Sequence, residues 1–153
     1  MKKLRIYIDT SVIGGCFDEE FVHWSKQLIA EINKGLKVAV ISDLTRQELD
    51  MAPERVKQVL FSLNNVEDVT LSQEAEDLAK LYVQHGAVTQ KHIVDAQHIA
   101  IATVERIDAL VSWNFKQIVN LDKIHLFNSL NLKFGYPVLE IRSPREVIDE
   151  KDI

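Results

Sequence analysis

Cysteine is all but missing from this chain: Cys16 is the only one among 153 residues. That excludes an internal disulfide framework and any zinc site built on thiolates. With no His-Asp arrangement to activate it, Cys16 reads as a small core residue rather than a nucleophile. No apolar run approaches the ~20 residues of a membrane-spanning helix, so no membrane association is expected. The basic start, MKK, leads into an apolar stretch that is too short for a signal peptide and is closed by Asp9. With disulfides excluded as well, a cytoplasmic location is expected. Prolines number only three and glycines five, and no linker, low-complexity tract or internal repeat divides the chain. One domain over residues 1–153 is therefore expected. Positive charge is also scarce. The formal net charge of −5 argues against a broad basic surface that coats nucleic acid, but not against a small acidic pocket holding a cation.

What is present alternates. Residues 4–8 (LRIYI), 37–41 (KVAVI), 66–70 (VEDVT), 109–112 (ALVS) and 138–141 (VLEI) have the pattern of short buried strands. Between the first two, Phe21, Trp24, Leu28, Ile29 and Ile32 recur at helical spacing. Residues 43–63 are helical in pattern, with Pro53 as a break point or as the first-turn residue of a second helix. Residues 73–85 and 92–106 predict two more helices, with Gly86 placed to end the earlier one. The run SPRE at 143–146 has the form of a capping box and predicts a short C-terminal helix over about 144–150. This order implies an α/β fold, a mainly parallel sheet of about five strands flanked by helices on both faces.

In such sheets ligands bind beyond the carboxyl ends of the strands, where strand order reverses. Asp9 closes the first strand, Glu48 lies on the helix after the second, and Asp95 lies early in the helix before the fourth. Ser112, Trp113 and Asn114 follow the fourth strand. Burying an unpaired carboxylate costs several kcal/mol, so Asp9 needs a cation, a hydrogen-bonding loop or a helix N-terminus. Each residue also has a plain structural reading. Asp9-Thr10-Ser11 reads as a helix cap, and TRQE at 45–48 as a capping box with Thr45 as cap and Glu48 turned back on it. Asp95 reads as an early-helix acid favoured by the macrodipole, although Ile99 and Ala102 set it along an apolar stripe. Asn114 reads as a turn residue or cap. His98 shares a helix face with Asp95. Lacking a cysteine or a second histidine at i+4, it reads as a packed or hydrogen-bonded residue rather than a zinc ligand. Gly14-Gly15 lacks a phosphate-loop pattern and reads as a bend that lets the chain pass close to a neighbour.

Taken together, YIDTSVIGG, RQELD, IVDAQHIAIA and DALVSWNFKQIVN resemble the PIN-domain nucleases, in particular their VapC-like toxin branch, over nearly the whole chain. The resemblance implies a single PIN-like domain that hydrolyses RNA phosphodiester bonds as a Mg²⁺- or Mn²⁺-dependent endoribonuclease, the toxin of a type II toxin–antitoxin pair. It implies Asp9, Glu48 and Asp95 as metal ligands and catalytic groups. The family's fourth acidic position falls on Asn114, where many members have Asp, and this weakens a second metal site. Thr10, Ser11 and Ser112 would position the metal's water or the substrate. The implied partners are RNA, an antitoxin protein and a second copy of the chain in a homodimer. The chemistry agrees: Mg²⁺ and Mn²⁺ prefer hard oxygen ligands, and clustered carboxylates raise one another's pKa unless a cation neutralises them. One rival, a phosphotransferase with a strand-end Asp nucleophile, needs a second Asp where Ser11 stands. The other is a catalytically weak or inactive PIN-fold module that binds RNA or protein, which Asn114 and the acidic charge keep open.

Overall fold

The computed structural model describes residues 2–149. Five segments pair into one sheet: β1 (Leu4–Ile8), β2 (Lys37–Ser42), β3 (Val66–Val69), β4 (Ala109–Val111) and β5 (Glu140–Arg142). Their order is β3-β2-β1-β4-β5, and every neighbouring pair is parallel. The helices are α1 (Thr10–Gly14), α2 (Val22–Asn33), α3 (Asp43–Leu49), α4 (Glu54–Ser62), α5 (Gln73–Gln84), α6 (Ile93–Val104), α7 (Leu121–Lys133) and α8 (Pro144–Val147). Among the described residues no helix is long and apolar enough to cross a membrane.

Strand alternation divides the core into two layers. Tyr7, Val40, Leu110 and Ile141 point to one face, where they meet α5, α6 and α7. Ile6, Ile8, Ala39, Ile41, Ala109 and Val111 point to the other, where they meet α1, α2 and α4. The central strands β1, β2 and β4 are covered on both faces and mostly apolar, which is why they read as short runs, whereas the edge strands β3 (VEDV) and β5 (EIR) carry charged residues.

Several boundaries differ from the sequence pattern for identifiable reasons. β5 begins at Glu140 rather than 138 because the Leu139 N–H and carbonyl are bonded to the Asn128 side chain, at 2.7 and 3.0 Å. Pro53 stands one residue outside α4, so it breaks the helical run instead of opening its first turn. The capping box of Ser143 and Glu146 is present, but α8 stops at Val147 and Ile148 is extended. Position 150 of the expected helix lies outside the described residues. Helix α7 was not among the expected elements. Its apolar residues do not form one stripe: Phe127 and Leu130 are buried while Leu121, Leu126 and Leu132 face solvent. Its inward face also carries a buried amide, Asn131, hydrogen-bonded by the Tyr82 hydroxyl and reaching Thr103 at 3.4 Å.

Two glycines act as expected. Gly86, at φ +81°, ends α5 with its N–H on the Val83 carbonyl. Gly15 allows the close passage: a Cβ there would lie 2.5 Å from Ser25 Oγ and 2.8 Å from Trp113 Nε1. Neither neighbour is free to yield, because Ser25 donates to the Val12 carbonyl and accepts from Trp113 Nε1. Gly15→Ala is therefore expected to destabilise by about 1–3 kcal/mol, as overpacking does. A lowered urea midpoint with an unchanged slope is the readout.

Behind the sheet, Glu31 on α2 is buried and accepts from Lys37 Nζ, from Gln27 Nε2 at 3.1 Å and from the Asp149 N–H at 3.0 Å. Burial alone would raise its carboxyl, but these donors hold it below the ordinary value. An acid with a lowered folded pKa adds stability above its unfolded pKa and loses it as pH falls. Glu31→Gln should thus cost about 2 kcal/mol at neutral pH. The difference from wild type should shrink as urea midpoints are taken down towards pH 3.

Candidate active site at the carboxyl edge

Strand order reverses between β1 and β4, since β2 and β3 lie on one side and β5 on the other. The pairing of Ile8 with Val111 sets the next residues, Asp9 and Ser112, opposite each other at the carboxyl edge. Ser112 Oγ donates to Asp9 Oδ2 at 2.5 Å, and Ser11 Oγ donates to Oδ1 at 2.6 Å. The Val12 N–H reaches Oδ1 at 3.3 Å, so Asp9 also caps α1. Two of the three compensations read from the sequence, hydrogen bonds from nearby loop groups and a helix N-terminus, are thus in use. From Ser112 the network continues outward. Its Oγ accepts the Asn114 N–H at 2.9 Å, and Asn114 Nδ2 donates to Asp95 Oδ1 at 3.3 Å. Asp9, Ser112, Asn114 and Asp95 therefore form one hydrogen-bonded chain.

Glu48 joins from a second direction. The cap of α3 is Ser42, which accepts the Thr45 N–H at 3.1 Å. Thr45 is therefore inside the helix and the expected capping box is not formed. Glu48 Oε1 instead meets His98 Nε2 at 2.6 Å and accepts from Thr10 Oγ1 at 3.0 Å. His98 is buried, and its Nδ1 lies 2.6 Å from the Tyr7 hydroxyl, which is 2.8 Å from Ser42 Oγ. An ionised Glu48 only accepts, so the hydrogen between the two is carried by His98 Nε2. His98 as the holder of Glu48, with Tyr7 behind it, is a role that the sequence reading did not assign. The signal was partial: spacing put His98 on the face of Asp95, but nothing local tied a strand tyrosine to it.

The three acids are electrostatically unlike. Burial pushes the Asp9 carboxyl up, against the field of His98 and the hydroxyls of Ser11 and Ser112. Burial also raises Asp95, opposed by His98 and His92 and reinforced by the charge of Glu48. For Glu48, burial is outweighed by the hydrogen bond and charge of His98 and by Thr10, and its carboxyl is held low. Neither Asp9 nor Asp95 forms an ion pair with a Lys or Arg among the described residues. The donor set of carboxylates and neutral oxygens suits a hard divalent cation. Among the described residues, however, no three His, Cys, Asp or Glu side chains stand grouped to hold a metal ion. Glu48 is turned to His98 and Thr10, Asp95 Oδ2 stands 3.5 Å from His92 Nδ1, and Asp9 is met by two hydroxyls and an N–H.

A parallel five-stranded sheet covered on both faces, with acids at the reversal of strand order, defines a doubly wound α/β domain. No family model and no curated protein matches the sequence. Solved structures match the fold. One is VapC20 of Mycobacterium tuberculosis, a Sarcin-Ricin loop cleaving toxin, at 16% identity and TM-score 0.57, covering 72% of this chain and 91% of that one. A toxin–antitoxin complex from Klebsiella pneumoniae aligns at 17% identity and TM-score 0.57, over 77% of this chain and 93% of that one. VapBC2 from Rickettsia felis, bound to a DNA fragment from its promoter, aligns at 16% identity and TM-score 0.56, over 92% and 98%. The chain has the fold of the VapC toxins.

Proposed function

We propose that this chain is a divalent-metal-dependent endoribonuclease of the VapC-like branch, a single domain over 1–153 that acts as the toxin of a toxin–antitoxin pair. The observation that supports this best is the chain from Asp9 through Ser112 and Asn114 to Asp95, which brings to the strand-reversal edge two carboxylates that burial raises and that have no Lys or Arg partner among the described residues. Asp9 and Asp95 would hold Mg²⁺ or Mn²⁺, with Glu48 joining them. A cation of this kind supplies activation of a water and neutralisation of charge on a phosphodiester. The chain's own groups do the positioning. Ser11 and Ser112 fix both oxygens of Asp9, Asn114 fixes Asp95, and His98 with Thr10 fixes Glu48. RNA is the substrate, and an antitoxin that places a basic side chain at the acids would neutralise them and displace the metal. A homodimer and a cytoplasmic location complete the reading.

A second reading, a catalytically weak PIN-fold binding module, is favoured by Glu48 already being paired with His98 and by the neutral Asn114. Incubating the purified protein with a mixed RNA pool separates the two. Cleavage that needs Mg²⁺ or Mn²⁺ and stops on chelation is expected of the nuclease. RNA that is retained but intact would favour the module.

A further inference from the structure

Both tryptophans of the chain stand beside the edge site. Trp113, between Ser112 and Asn114, stacks on Phe21 with ring centroids 4.1 Å apart and planes 14° from parallel. Phe115 stands 6.1 Å from Trp113, and Trp24 stands 6.2 Å from it on another side. The Arg145 guanidinium lies 5.2 Å from the Trp24 ring centre. Together they line an open cleft of about 430 Å³, inside the range of about 300–1,000 Å³ usual for small-molecule sites. Core packing accounts for Trp113, which is buried and hydrogen-bonded to Ser25. It does not account for Phe115, which is 48% exposed directly after Asn114, nor for the exposed Arg145.

We infer that this cleft is a nucleobase subsite, which stacks the base next to the phosphodiester held at Asp9 and Asp95. The inference rests on the RNA-cleaving reading for its substrate, and on the cleft's own chemistry for everything else. Aromatic faces and guanidinium planes stack unpaired bases with little regard to identity, because every base has a π-face. Position favours it too. Phe115 follows Asn114, whose amide is bonded to Asp95, so a strand with its phosphate at the acids brings a neighbouring base to the exposed Phe115 ring. The rim carries Glu20 and Glu146. Glu146 is turned back to cap α8, and the charge of both acids repels phosphate, so the base rather than the backbone enters the cleft.

Tryptophan emission reads occupancy of the cleft without a label, since no tryptophan lies elsewhere. The full chain in Ca²⁺, a hard cation that can bridge the acids and a phosphate in place of Mg²⁺, is titrated with a short single-stranded RNA and with an abasic ribose-phosphate oligomer of equal length. RNA should shift or quench the emission and the abasic oligomer should not. Phe115→Ala and Phe115→Leu, both at an exposed position, should each weaken RNA binding about fivefold or more, the low end of base–aromatic stacking. Equal responses to both oligomers, or a Phe115→Ala protein that binds RNA like wild type, would overturn the subsite. So would a response to an amphipathic peptide with none to RNA, which would assign the cleft to a protein partner. Base-dependent quenching in a chain that cleaves no RNA with Mn²⁺ would leave the subsite standing and remove the nuclease reading. Cleavage without base-dependent quenching would do the reverse.

Discussion

Asp95→Asn is expected to lower RNA cleavage by about 100-fold or more, as loss of a preorganised charged group at a reacting centre does, while the melting temperature holds or rises. The substitution keeps the side-chain volume, and its amide oxygen still accepts from Asn114 Nδ2. What disappears is a negative charge that burial disfavours and that Glu48 repels. Functional carboxylate clusters are held together against such repulsion, so removing one member relieves it. The plain structural role predicts the opposite pattern. An acid that only complements the dipole of α6 is worth about 0.3–1 kcal/mol, and its loss would lower stability slightly and leave cleavage alone. Thermal unfolding and cleavage of one RNA, measured on the same preparation, separate the two.

Mn²⁺ is expected to raise the melting temperature of the wild-type chain and to do much less for Asp9→Asn. Binding to the native state alone stabilises by about 2.7 kcal/mol at a hundredfold excess over Kd. In a chain of this size that corresponds to a rise of about 5–10 °C. Asp9 is buried and receives two hydroxyls and one N–H, so its amide analogue still caps α1 and keeps an acceptor for Ser112 or Ser11. The loss of the Mn²⁺ increment would then report the charge rather than a collapsed edge. An Asp9→Asn chain stabilised by Mn²⁺ as strongly as wild type would remove Asp9 from the cation site.

The parallel α/β sheet was legible because its central strands β1, β2 and β4 are mostly apolar and alternate with segments of helical periodicity. Helix α7 was not, because its leucines point both ways and its inward face includes Asn131. Asp9, Ser112 and Asn114 could be placed at one edge from strand order alone, since residues that follow paired parallel strands share that edge, whereas Asp95 lies in α6 ahead of β4 and joins them through Asn114. Glu48 shows where local pattern fails. Thr45 to Glu48 satisfies the capping-box spacing, yet Ser42, three residues earlier, caps the helix and frees Glu48 for His98. Contacts such as Tyr7 to His98 span 91 positions and have no local signature.

The most direct measurement of the central claim is a crystal of the full chain soaked in Mn²⁺, with data collected for the anomalous signal of the metal. The expected result is a peak at the carboxyl edge, bonded by oxygens of Asp9 and Asp95, with Glu48 rotated from His98 or reaching the ion through water. A peak elsewhere, or an edge without one and with Asp9 still bonded only by Ser11, Ser112 and Val12 at saturating Mn²⁺, would contradict it.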